Sequence, residues 1–412
     1  MLHSDNDKKI LRDLAKEVME IAALPKQEET RRLWRALNGL RQERPMVMID
    51  QICWNEINVN DRLTLRCSDP VCRDFEFRLR SIIFQWRNFP VDMVVEPYIC
   101  VSKAIYGASF DVKVIEETVI TDITNDVIGH KFIDQFIVEE DLEKIKPPNV
   151  VHDKVETTRR LDEAIDIFGD TINVYADGHH PALSVWDPIS TWKSVENALY
   201  DMVDRPDYIH KLVKKMTAFY ASLFDQLEAQ GLFTTHQTLI HCTGAYTDEL
   251  PKPGYDPGSP RTKDLWVMGL AQMFSTVSPQ MHYEFELEYL NPLFERFGLV
   301  YYGCCDPLDK KMDIVRKIPN LRKVSMSPWV DIKLGAEGIG NDFVFSYKPN
   351  PAFLAGSSFD EGLVCRELSN VITVCKKNGC PLELILKDIS TVKYDPKRLF
   401  RWAEIATELV NA

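Results

Sequence analysis

Leu299-Val300-Tyr301-Tyr302-Gly303-Cys304-Cys305-Asp306-Pro307 is an apolar run that stops at a glycine and opens into two thiols. A near-continuous apolar run of this length suits a strand buried on both faces, as in a parallel sheet. A second stretch reads the same way: Thr238-Leu239-Ile240 runs into His241-Cys242-Thr243-Gly244. Residues 264–297 between them read as helix, the connection that parallel strands require. Side chains at the carboxyl ends of parallel strands converge on one mouth, where α/β barrels place their chemistry.

The pattern extends outward in both directions. Short apolar runs at Pro45–Ile49, Met93–Glu96, Thr171–Tyr175, Thr238–His241, Leu299–Tyr302, Arg322–Ser325, Asp342–Ser346 and Leu382–Leu386 alternate with helix-like stretches. Pro206 opens a helix ending near Gly231, Ser278-Pro279 supplies an N-cap with proline after it, and Gly298 stops the chain before the next run. Pro396 opens a last helix over Lys397 to Val410. Strand–helix alternation repeated in this way predicts an α/β fold, a (β/α)8 TIM barrel over 43–412. Leu11, Leu14, Val18 and Ile21, then Leu33, Leu37 and Leu40, fall at helical spacing and predict an N-terminal helical extension over 1–42. Two insertions interrupt the plan. One, at 98–170 after the second run, has alternating stretches (Asp111–Ile115, His130–Val138) suited to β-hairpins. The other, at 246–262 after the fourth, holds Pro251, Gly254, Pro257, Gly258 and Pro260.

Composition narrows the class. The chain has 412 residues, 45 % hydrophobic and 27 % charged, as in an ordinary globular protein. A net charge of −13 with scattered basic residues gives no footprint for nucleic acid. No run approaches the roughly 18 apolar residues needed to span a membrane. The polar start Met1–Lys9 and the ten cysteines point to reduced thiols and a cytoplasmic location. There is no phosphate-binding loop, no dinucleotide fingerprint and no nucleophile elbow.

Chemistry-bearing residues cluster at the ends of the runs. His241 or Cys242 together with Cys304 or Cys305 are candidate zinc ligands, one from each pair because adjacent strand residues face opposite ways. Third-ligand candidates are His282, Glu284, Asp306 and Asp388. Buried free cysteine equally serves as a small hydrophobe. Asp50, Glu96, His180 and Asp388 are the candidate acid–base groups. Tyr98, His179, Trp186, Tyr246, Trp329 and Lys348, with Tyr347, would line a pocket for a flat, largely apolar ligand. Any one of these aromatics equally serves as a cap on the barrel core.

With those residues in view, the chain resembles the uroporphyrinogen decarboxylase superfamily over about residues 30 to 410, a superfamily that includes corrinoid-dependent methyltransferases. The likeness rests on Trp34-Arg35-Ala36-Leu37-Asn38-Gly39-Leu40 before the first run, Leu199–Arg205 followed by Pro206-Asp207, and Glu295–Gly298. It rests further on Ile318-Pro319-Asn320-Leu321-Arg322, Ser327-Pro328-Trp329 and Trp402 to Ala406. The decarboxylases carry Arg-Gln-Ala-Gly-Arg-Tyr after the first strand; here stands Asp50-Gln51-Ile52-Cys53-Trp54, without arginine. The methyltransferase branch binds zinc through His-x-Cys and a later Cys. Here His241 and Cys242 are adjacent and the last run ends Lys387-Asp388-Ile389-Ser390, so Cys304 or Cys305 is expected to replace the late thiol. The resemblance implies methyl transfer from a methylated small molecule, best a phenyl methyl ether, to the cobalt of a corrinoid on a separate protein. Zinc would be the Lewis acid, and a homodimer is one option for the assembly. A metal-free decarboxylase or lyase of a planar acid, with Asp50 and His179-His180 as acid and base, is the alternative. A non-catalytic ligand-binding barrel is a third.

Overall fold

The computed structural model describes residues 3–120 and 128–412. Its centre is a seven-stranded, all-parallel sheet. In spatial order the strands are Met46–Ile49, Leu382–Leu386, Val344–Tyr347, Leu321–Met326, Leu299–Tyr302, Trp266–Gly269 and Ala182–Leu183. Reverse sequence order around the sheet, with helices between strands, agrees with the (β/α)8 plan.

Between the first strand and Ala182–Leu183 the chain takes a bent route. Extended residues 91–96 are tied to the first strand by Asp92, whose N–H donates to Val47 O at 2.8 Å. The Asp92 carboxylate in turn accepts from Val47 N at 2.8 Å and from Arg44 at 2.6 and 2.9 Å. The chain then bends at Pro97 and continues as Tyr98–Ser102, which pairs in parallel with Asn173–Asp177. Residues 178–181 bend back to Ala182–Leu183. Helices Asp5–Ala22, Pro70–Asn88 and Lys154–Phe168 cover this pair around a core of their own, including Leu11, Phe75, Leu79, Ile99 and Phe168.

The strands alternate as a buried parallel sheet must. One face (Val47, Ile49, Val300, Tyr302, Val324, Phe345, Leu384) packs on the outer helices. The other (Met46, Met48, Trp266, Met268, Tyr301, Val344, Ile385) faces inward. Four inward positions are polar: Lys323, Ser325, Ser346 and Glu383, all buried. Lys323 Nζ lies 2.8 Å from Glu383 Oε2, 3.0 Å from Thr243 Oγ1, and over the ring of Trp34. Trp34 and Leu37 of helix Pro25–Asn38 close this lower end, and Asn38 donates to Gly244 O and Tyr246 O.

Five of the expected strand runs lie in the sheet, and Pro206–Ala229, the Ser278-Pro279 helix start and Lys397–Val410 lie where expected. Thr171–Tyr175 forms a strand, but in the bent two-stranded pair. Met93–Glu96 is extended chain outside any strand. Thr238–His241 is not a sheet strand: Leu239–Ile240 pairs antiparallel with Thr243–Gly244, a small hairpin inside the sheet's concave face. The strand in that position is Trp266–Gly269, inside the stretch expected to be helix, which starts only at Pro279. An apolar run as continuous as 265–271 has no period that separates strand from helix. The first insertion forms antiparallel pairs, Ala104–Tyr106 with Val151–Asp153 and Glu116–Ile120 with Ile128–Phe132; residues 121–127 lie outside the described residues. Among the described residues no helix is long and apolar enough to cross a membrane.

Candidate functional site

At the carboxyl end of Leu299–Tyr302 the chain turns at Gly303 (φ +103°), where a Cβ would lie 2.7 Å from Leu308 Cδ1. That turn buries Cys304 and leaves Cys305 exposed. Cys304 Sγ is 3.6 Å from Cys305 Sγ, 3.6 Å from Lys387 Nζ and 3.9 Å from His241 Nε2. His241 is delivered by the inner hairpin: it takes the left-handed conformation (φ +54°) at the two-residue turn, which aims its ring at the mouth. The Cys305 hydrogen bond, then that of His241 and the charge of Lys387, hold the Cys304 thiol at about 4, against the opposing effect of burial. Burial lowers the His241 imidazole, but hydrogen bonds to Cys242 and Cys304 outweigh it and lift it to about 9. Each shift favours the charged form of its own group. A cavity of about 320 Å³ opens over it, lined by Cys304, Cys305, Trp329, Lys348, Lys387 and Asp388 among others. Lys348 Nζ is held by Tyr301 Oη at 2.6 Å and Ser346 Oγ at 2.7 Å, both uncharged.

A second chamber, of about 390 Å³, lies where the strands bend. It gathers Asp50, Glu96, Tyr98, His180, Tyr246 and Cys242, expected at the mouth but facing here. Glu96 accepts from Arg31 Nη2 at 3.1 Å and Tyr246 Oη at 2.5 Å. Asp177, at the end of its strand, accepts from Thr234 Oγ1, Thr235 N and His180 Nε2 at 2.8–3.0 Å. Burial pushes the Asp177 carboxyl up, yet bonds from His180, Thr235 and Thr234 hold it well below the usual range. His236 stacks on Tyr175 and meets Tyr98 edge-on, both at 4.9 Å between ring centres. The His241–Cys242 turn separates the chambers: His241 reaches Cys304, while Cys242 faces the second cavity.

The remaining expected residues sit elsewhere. Trp186 is 1 % exposed and packs on Phe274, so it is core and no chamber wall. Tyr347 turns outward into the core and donates to Glu367. His179 is held at about 4 by burial and by its neighbour His180. Glu284 lies on the outer helical layer, bonded to His210 at 3.2 Å, and in neither chamber. His282 is buried against Glu286 and Tyr302. Two trios outside the thiol mouth bring metal-binding atoms within 4.8 Å of one another: His3, Asp69 and Cys72, and Cys100, Asp177 and His236. Cys100 and His236 carried no motif spacing, since 136 residues separate them; only the pairing of Tyr98–Ser102 with Asn173–Asp177 brings them together.

No known family profile matches the chain, and no curated protein sequence matches it. Among solved structures, a methyltransferase from Methanosarcina mazei shares the fold over 92 % of this chain and 97 % of its own, with a TM-score of 0.50 and 11 % identity. At that identity the likeness speaks for the fold alone.

Proposed function

We propose that this protein is a methyltransferase working at the Cys304 chamber, moving a methyl group from a methylated small molecule, with zinc as Lewis acid, to a corrinoid held by a separate protein. The observation that carries the reading is the convergence of Cys304, Cys305, His241 and Lys387 at the carboxyl end of a parallel sheet. The printed name of the structural neighbour, methyltransferase, supports it.

The residues fit zinc. In a tetrahedral site with bonds of about 2.0–2.1 Å to nitrogen and 2.3 Å to sulfur, ligand atoms stand about 3.6–3.8 Å apart. The Cys304–Cys305 separation of 3.6 Å is close to such an edge and the Cys304–His241 separation of 3.9 Å is slightly longer, while His241 and Cys305 stand farther apart, so the third edge closes only with a turn of the Cys305 side chain toward His241. A zinc ion bound there supplies Lewis acidity to the oxygen or sulfur that loses its methyl group. Lys387 adds its charge to the Cys305 and His241 hydrogen bonds that favour the Cys304 thiolate, and Lys348 lines the chamber wall. Trp329, Pro328 and Pro349 give the chamber flat apolar walls suited to a phenyl methyl ether. A corrin ring is too large for a 320 Å³ cavity, so it must be presented at the opening, where Trp329 stands 71 % exposed.

The test mixes the purified protein with a reduced corrinoid protein and a panel of methoxyaromatics, methylamines and methyl thioethers, following the cobalt spectrum. Methylation with one donor, lost in Cys304→Ser at unchanged thermal stability, is the expected result. A silent spectrum across the panel, or a fully active Cys304→Ser, would end this reading.

A further inference from the structure

The second chamber holds a group that methyl transfer at Cys304 does not use. Cys100 comes from the strand Tyr98–Ser102, Asp177 from the carboxyl end of its partner strand, and His236 from the segment that follows helix Pro206–Ala229. One ligand atom from each lies within 4.8 Å of the other two. His236 Nδ1 stands 3.5 Å from Asp177 Oδ1, close to the edge of about 3.4 Å for nitrogen and oxygen on one tetrahedral zinc, and a metal there would displace the Thr235 hydroxyl that meets Nδ1 at 2.9 Å.

The surroundings are those of a prepared cation site. Thr234 Oγ1 bonds both oxygens of the Asp177 carboxylate, Thr235 N bonds Oδ1, and His180 Nε2 holds Oδ2 at 3.0 Å. The stack on Tyr175 and the edge of Tyr98 fix the plane of the His236 ring. Metal ligands are oriented by such outer contacts. Asp50, Glu96 and Asp177 all line this chamber, Glu96 paired with Arg31 and Asp177 bonded to His180.

We infer that Cys100, Asp177 and His236 bind a divalent metal of the zinc class, with a fourth position open to the 390 Å³ chamber. One sulfur, one nitrogen and one oxygen ligand suit zinc or cobalt(II) and disfavour magnesium and calcium, which take oxygen alone. Three protein ligands with an open position are the arrangement of a catalytic zinc and not of a closed structural one. The site shares no ligand with the Cys304 mouth.

Cobalt(II) titration of the chelator-treated full chain tests the assignment, read by the near-ultraviolet thiolate-to-cobalt band and by bound metal per chain. To separate the sites, the Cys304→Ser/Cys305→Ser double variant, built in a Cys72→Ser background that disables the His3–Asp69–Cys72 trio, removes the mouth thiols. It is expected to keep the band and about one equivalent of cobalt. Cys100→Ser in that background abolishes the band, and His236→Gln, which preserves ring-sized volume, abolishes it too should Cys100→Ser fold poorly. His180→Ala keeps the band and weakens binding about 10- to 100-fold. A double variant without a band, or a band that survives both Cys100→Ser and His236→Gln, overturns the inference. Loss of methyl transfer leaves these readings unchanged, so the two assignments fail separately.

Discussion

Lys323→Met should be the most damaging single change in the interior of the sheet, because it strands a buried carboxylate. Lys323 and Glu383 have no exposed side-chain surface and stand 2.8 Å apart. At an effective dielectric of about 20 their attraction is about 6 kcal/mol, and removing one partner of such a pair costs about 3–5 kcal/mol. With an unfolding entropy of about 2.1 cal/mol/K per residue, 412 residues give about 0.9 kcal/mol/K. A loss of about 4 kcal/mol therefore lowers Tm by about 5 °C. The sign with pH is fixed as well. Burial pushes the Glu383 carboxyl up, but the charges of Lys323 and Lys348 outweigh it and hold it below its usual value. Its contribution is thus complete above the unfolded value of about 4.3 and is lost as pH falls through the folded one. In Lys323→Met burial dominates, the carboxyl rises, and it accepts a proton on acidification. The penalty should be larger at pH 8 than at pH 5. Lys323→Met/Glu383→Leu should recover all but about 1–2 kcal/mol, since an apolar pair of similar volume replaces the ion pair. Differential scanning calorimetry at both pH values reads all three. A Tm within 1 °C of wild type at pH 8, or a penalty that grows on acidification, would refute the reasoning.

Gly244→Ala would put a Cβ 2.6 Å from Trp34 Cδ2; it should cost about 1–3 kcal/mol in urea melts and weaken metal binding by shifting His241. Asp92→Asn removes the charge that clamps Arg44 and Val47 N, and should lower stability by about 2 kcal/mol in the same assay. Trp329→Ala, at a position 71 % exposed, should leave Tm within about 1 °C while raising the KM for the corrinoid protein at least fivefold.

What could be read from sequence follows from what a one-dimensional pattern encodes. The runs at 299–302, 344–347 and 382–386 are uninterrupted and bounded by Gly, Lys-Pro and Lys-Asp, so the sheet was legible there. Trp266–Gly269 was not, because its apolar neighbours on both sides erase the boundary. The approach of Cys304 to His241 was legible as two thiol-bearing ends, though His241 arrives from a hairpin and not a sheet strand. The diversion of Asp50, Glu96, Tyr98 and His180 into a second chamber was hidden, since the bends at 96–97 and 178–181 depend on helices packed from distant sequence.

His241 and Cys242 are neighbours on a turn, one facing each chamber. Any occupant that displaces this turn from one side changes the free energy of binding on the other. Thermodynamic linkage then makes the effect mutual: the factor by which the first occupant alters the affinity of the second is the factor by which the second alters that of the first.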